Sequence, residues 1–201
     1  MASVSQPRLL VATSNPGQPV EFREVSAKTP WVIEGLPTDA PDFEETGLTF
    51  AENARDKALY RSRFTDAPVV ADDSGLVIDA LGGEPGVHSA RYIDPDMAQG
   101  DRNRAVLAKL AGLAPEKRTA RFICYPVLAP HGELVHETEG ACEGRIAEEE
   151  RGRIGFGYDP IFLVPELGLT FAEIPAAEKD ARSHRGEAAR ALASFLTSWR
   201  P

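Results

Sequence analysis

Val69-Val70-Ala71-Asp72-Asp73-Ser74-Gly75-Leu76 is the stretch on which the reading of this chain turns. A short apolar run leads into two adjacent carboxylates, a hydroxyl and a glycine, which reads as a buried strand ending abruptly at a polar site. Carboxylates at the end of a buried strand are costly to desolvate unless a cation or an array of donors compensates them. An oxygen-rich setting of that kind suits a hard divalent cation such as Mg²⁺. Asp72 and Asp73 therefore read as a metal site that serves a polyanionic substrate.

Upstream lies Glu44-Glu45-Thr46-Gly47-Leu48-Thr49-Phe50-Ala51-Glu52-Asn53-Ala54. Thr49 and Glu52 form a capping box, which starts a helix expected to run to about Phe64. Asn53 and Lys57 share one face of that helix. Lys57 either reaches toward the carboxylates before the helix or stays solvated, the commoner fate of a helical lysine. Further back, Arg8–Thr13 reads as a strand, and Ser14-Asn15-Pro16-Gly17 is dense turn chemistry. A helix from Pro19 through Glu21, Phe22 and Val25 follows. Strand, tight polar loop and helix can aim backbone N–H groups at an anion, although the G-x-x-x-x-G-K pattern is absent.

Downstream, Asp101 to Leu113 reads as an amphipathic helix with Val106, Leu107, Leu110 and Leu113 as its stripe. Arg121 to Leu128 and Glu133 to Ile146 read as two strands around a Pro130-His131-Gly132 turn, with Pro126 at an edge or a bulge. In Arg151 to Pro160, glycines allow close backbone approach. There Phe156 and Tyr158 either stack on a base or plug the core. Ser183 caps a last helix with His184 and Arg185 in its first turn, and Ala188, Leu192, Phe195 and Trp199 form its apolar stripe. Basic residues at a helix N-terminus oppose its dipole, a local conflict that points to function.

With 201 residues, one domain covering 1–201 is expected. The net charge of −9 argues against non-specific binding to nucleic acid or membrane surfaces. Cys124 and Cys142 form no C-x-x-C pair, so zinc and disulfide readings are weak and two reduced thiols are expected. No apolar run nears membrane-spanning length, and the N-terminal segment has no signal-like apolar core, so a soluble, cytoplasmic protein is expected.

The stretches Ala12–Gly17, Glu45–Ala54 and Ala71–Leu76 resemble those of the inosine triphosphate pyrophosphatase family. So do Gly83–Arg91, Gly155–Phe162, Glu178-Lys179 and Ser183–Gly186, in the family's order. The resemblance implies an elongated α/β fold with a central mixed, twisted sheet flanked by helices, two lobes and an active-site cleft between them. It implies a homodimer that requires Mg²⁺ and hydrolyses ITP, dITP or XTP to the monophosphate and pyrophosphate, cleansing the nucleotide pool. By resemblance, Asp73 is the catalytic carboxylate, with Glu45, Asp72 and Asp73 as metal ligands. Thr13, Ser14, Asn15, Pro16, Gly17, Lys57 and Ser74 line the substrate by the same resemblance. Phe156, Gly157, Tyr158, Asp159, Lys179, His184 and Arg185 resemble the base-recognition and substrate-binding set.

One position departs from the family. Gln18 stands where a lysine follows the first loop. The charge-assisted bond thereby lost is worth roughly 1.5–3 kcal/mol, which opens the alternative of a catalytically weakened nucleotide-binding relative. An aspartyl phosphatase is a poorer match, because Asp72-Asp73-Ser74 is not a D-x-D pattern.

Overall fold

The computed structural model describes residues 6–12, 29–37 and 40–200. The chain divides into two compact units. The first comprises Met1–Asp73, Cys124–Gly140 and Arg185–Pro201, and the second Ser74–Ile123 and Ala141–His184.

In the first unit, β1 (Arg8–Ala12) pairs in parallel with β2 (Val32–Gly35) on one side and with β3 (Val69–Ile78) on the other. Leu10, Val11 and Ala12 lie opposite Val69, Val70 and Ala71. Alternate residues of a strand face opposite sides of the sheet, and each side has its own core. Leu9, Val11, Val70 and Leu128 pack with Ala189, Leu192 and Leu196 of the C-terminal helix. Leu10, Ala12, Val69, Ala71, Val127 and Ala129 pack instead against Ala54 and Ala58 of α1 (Phe50–Arg61). The alanines at that second interface bring the helix close to the sheet.

The helix start is as the sequence implies. Glu52 N–H donates to Thr49 Oγ1 at 3.1 Å, and Thr49 N–H donates to Glu52 Oε2 at 3.0 Å. A 3₁₀ turn, Ser62–Phe64, extends the helix to the expected residue.

Three expectations are corrected. First, β3 does not stop at the carboxylates; it runs on through Asp72, Asp73, Ser74 and Gly75 to Ile78. The carboxylates are thus strand residues, and donors from outside the strand make that position tenable. Second, Pro126 lies inside β4 (Thr119–Ala129), which has β3 and β5 (His136–Glu137) as neighbours. Its carbonyl accepts from Thr138 N–H at 3.1 Å, so its missing N–H empties only half of one pair, just where β5 ends. Third, the strand expected from Glu133 to Ile146 is broken into β5 and β6 (Gly140–Ile146).

In the second unit, β6 pairs antiparallel with β7 (Phe162–Val164), which pairs with β8 (Leu169–Thr170). The chain also forms α2 (Gln99–Lys109), somewhat shorter than expected, and α3 (Ala176–Arg182). Leu76, Ile78, Val106, Leu110, Ile146, Ile161 and the rings of Phe122, Phe162 and Phe171 form one buried cluster. Arg118 is buried there with Nε on the Ile146 carbonyl (2.8 Å), Nη1 on that of Leu110 (2.7 Å) and Nη2 on that of Ala147 (2.6 Å). The fold is therefore α/β, with parallel and antiparallel pairing and flanking helices. The last helix, α4 (His184–Ser198), carries Leu192 in the core and Trp199 just beyond its end, stacked on Trp31 with ring centroids 5.2 Å apart.

Candidate active site

Asp72 and Asp73 are buried, with 3% and 8% of their surface exposed, so each needs polar company inside the protein. Asn53 supplies it for Asp73: Nδ2 donates to Oδ2 at 2.8 Å. The other end of the amide is also used, since Gly47 N–H donates to Asn53 Oδ1 at 2.7 Å. That approach explains the glycine. A methyl group on Gly47 would sit 2.7 Å from Asn53 Oδ1 and 2.9 Å from Glu52 Cβ, too close for either. One asparagine side chain thus ties the segment before α1 to the strand carboxylate. Asp72 lies beside Cys124, whose Sγ is 3.5 Å from Oδ2. Both cysteines are free thiols.

One turn beyond Asn53, Lys57 forms an ion pair with Glu45 through Nζ and Oε1. Both side chains are largely enclosed, at 14% and 24% exposure, so this is not the solvated lysine of the blander expectation. A cavity of about 390 Å³ adjoins the pair, lined among others by Val11, Ala12, Asp42, Glu45, Lys57 and Arg61. Its donor set is all oxygen on the acidic side, which suits a hard cation. Among the described residues, no three histidine, cysteine, aspartate or glutamate side chains converge as a ready-made metal cage.

In the second unit the aromatics of Arg151 to Pro160 divide between the two readings. Tyr158 is a core residue, 4% exposed, with its hydroxyl donating to the Ser89 carbonyl at 2.9 Å. Burial raises its phenol above the usual range. Phe156 is exposed at 39% and lies over Lys179, whose ammonium is 4.7 Å from the ring centroid. Lys179 and Asp159 form a buried ion pair at 2.6 Å, and the same Asp159 Oδ2 accepts from Phe156 N–H at 2.8 Å. Gly155 has φ +83°, and a methyl group there would fall 2.1 Å from Asp159 Oδ2. Asn103 Nδ2 donates to the Gly157 carbonyl at 3.2 Å.

The expected residues therefore form separate local groups. Glu45 and Lys57 come together in the first unit, where Asn53 holds Asp73. Phe156, Asp159 and Lys179 come together in the second. His184 is buried with its ring stacked on Phe122 at 4.8 Å, and Arg185 follows it in the first turn of α4. Ser74 is half-buried and continues β3 beyond Asp73. Thr13, Ser14, Asn15, Pro16, Gly17 and Gln18 lie outside the described residues, as does the helix expected around Val25. Two residues that sequence reasoning gave no site role are Asn53 and Arg61. For Asn53 the signal was present: an asparagine within a helix, where it is disfavoured, on the face it shares with Lys57.

Carboxylates at a strand and a lysine beside a cavity are groups that an enzyme acting on phosphoryl groups can use. The chain belongs to the Ham1 family, which matches residues 9–195. A dITP/XTP pyrophosphatase of Gloeobacter violaceus is 53% identical, over 92% of this chain and 92% of that one. A dITP/XTP pyrophosphatase of Symbiobacterium thermophilum is 50% identical, over 96% and 95%. Among solved structures, a HAM1 protein from Coxiella burnetii superposes with a TM-score of 0.87 at 39% identity, covering 96% of this chain and all of that one. The Staphylococcus aureus Ham1 protein gives a TM-score of 0.84 at 36% identity, covering 94% and 97%. Nothing in these likenesses supports the weakened, merely nucleotide-binding alternative.

Proposed function

We propose that this chain hydrolyses noncanonical purine nucleoside triphosphates such as dITP, ITP and XTP to the monophosphate and pyrophosphate. The observation that carries the reading is 53% identity, over nearly the whole of both chains, to a protein named dITP/XTP pyrophosphatase. The local chemistry is consistent with it. Asp73, one carboxylate oxygen of which accepts from Asn53, would take a proton from the attacking water in this reading. Lys57 and Lys179 are cations for charge developing on phosphate oxygens. Phe156, exposed and lying over Lys179, offers a face on which a purine stacks.

Glu45, Asp72 and Asp73 would hold Mg²⁺, which polarises a phosphoryl oxygen and offsets phosphate charge. Magnesium needs only one or two carboxylates, because water and substrate phosphates complete its shell. In our reading the residues act as a single pyrophosphatase domain, as a homodimer, in the cytoplasm. Purified protein incubated with ITP and Mg²⁺, with and without a chelator, tests the reaction. Pyrophosphate and IMP, lost on chelation, are expected; orthophosphate, or equal kcat/KM for ATP and ITP, overturns the proposal.

A further inference from the structure

We propose that Arg61 binds the phosphate chain of the substrate and supplies the cation that Gln18 does not. The inference rests on the triphosphate reading above but on different residues. Arg61 follows Lys57 by one helical turn on α1, so the two side chains share a face. Both line the cavity of about 390 Å³ that also takes in Glu45. That volume falls within the usual range for a small-molecule site. Ala12 lines the same cavity, and in the sequence it directly precedes the stretch that carries Gln18.

The state of the guanidinium is what singles it out. Its side chain is only 14% exposed, yet its one ion pair among the described residues is a 3.9 Å approach of Nη2 to the fully exposed Asp42. That separation is too long for a hydrogen bond. Arg61 Nε is buried and has no hydrogen-bond partner among the described residues. A buried, donor-only group without an acceptor costs free energy in the absence of a ligand. Arg118 shows the contrast within this same protein, because its three nitrogens all donate to carbonyls. A guanidinium with open donors, facing a cavity, matches the forked geometry of phosphate oxygens better than an ammonium does. Lys57 is already engaged by Glu45, so Arg61 is the cation of this cavity with donors to spare among the described residues.

The occupant is therefore an oligophosphate, and the specific test is inorganic pyrophosphate, which carries no base. Wild type, Arg61→Met and Arg61→Lys are titrated with pyrophosphate and, separately, with IMP, in Mg²⁺ at two salt concentrations, and their melting temperatures are measured. Loss of one charge-assisted contact weakens pyrophosphate binding by roughly 10- to 100-fold in Arg61→Met, with smaller effects on IMP and partial recovery in Arg61→Lys. The deficit shrinks as salt rises. Unchanged pyrophosphate affinity overturns the proposal, as does a parallel loss for both ligands accompanied by a fall in Tm. If Arg61→Met does not fold, Arg61→Lys and Arg61→Gln carry the same comparison. The outcomes separate from those of the parent reading. Wild type that binds pyrophosphate through Arg61 but releases none from ITP sinks the reaction alone. Turnover of ITP with pyrophosphate binding indifferent to residue 61 sinks the Arg61 assignment alone.

Discussion

Asn53 Nδ2 donates to Asp73 Oδ2 at 2.8 Å, while Asn53 Oδ1 accepts from Gly47 N–H at 2.7 Å. Replacing the amide by a carboxylate reverses the sign of that contact. In Asn53→Asp, two buried carboxylates face one another, and a like charge at this distance raises the apparent pKa of the pair. The acidic limb of the pH–rate profile should move to higher pH, and kcat should fall. An unmoved limb with normal kcat would mean that Asp73 takes no part in proton transfer.

Asp73→Asn is nearly isosteric but removes both the charge and the proton acceptor. Turnover of ITP should fall by about 10²–10⁴-fold, the usual contribution of general acid–base catalysis. Circular dichroism should show an intact fold. Near-normal kcat at saturating Mg²⁺ would move the essential role to Asp72 or Glu45.

Phe156 and Tyr158 should separate cleanly by assay. Phe156 is exposed, so Phe156→Ala should raise KM for ITP with little change in Tm; a stacked base is worth about 1–3 kcal/mol. Tyr158→Ala should lower Tm instead, since its side chain is buried and its hydroxyl is satisfied by Ser89. A Phe156→Ala protein with reduced Tm and normal KM contradicts the assignment.

Asp159 and Lys179 are a buried pair, at 5% and 6% side-chain exposure. Removing one charge strands the other in the interior, at a cost of about 3–5 kcal/mol. Asp159→Asn should therefore be less stable than the double variant Asp159→Asn/Lys179→Met. Denaturant melts of the singles and the double decide it; equal stability of the single and the double would show that the ammonium finds water or another acceptor.

His136 makes stability depend on pH. Burial lowers its pKa below the ordinary 6.5, partly opposed by the adjacent Glu137, and its ring stacks on Phe195 at 4.0 Å. The folded state holds the proton less tightly than the unfolded chain does. Its contribution is therefore present above about pH 6.5 and is lost as pH falls through the lower folded value. Glu137 behaves similarly at a lower pH: its hydrogen bonds with Arg55 hold its carboxyl below 4.5. Between pH 7.5 and 5.5, the Tm of wild type should fall more than that of His136→Phe. Parallel curves would assign the loss to another group.

What the sequence disclosed, and what it did not, follows from the range of the interactions. The capping box of Thr49 and Glu52, the apolar run of β1 and the stripe of α4 are local patterns, and each is found where expected. The continuation of β3 through Asp72 and Asp73 is not local, because it depends on an amide from another element. Pro126 sits inside a sheet because its partner strand ends beside it, which no window around the proline reveals. The choice between stacking and core packing at Phe156 and Tyr158 depends on Ser89 and Lys179, both far away in the chain. Motif resemblance pointed to Glu45 and Lys57, and helix spacing set Asn53 beside Lys57, whereas the open donors of Arg61 emerge only when the helix is seen against its surroundings.

The alanine face of α1 has a further consequence. Ala54 and Ala58 rest on Ala12, Ala71 and Ala129, so methyl groups set the height of the helix above the sheet. Asn53, Lys57 and Arg61 stand on that helix like the teeth of a comb, and none can shift without the others. The tuning of this site therefore resides as much in the floor beneath it as in its polar groups. A change from alanine to a larger residue at position 54 or 58 would move all of the teeth together, shifting Lys57 and Arg61 in the cavity wall without altering either of them.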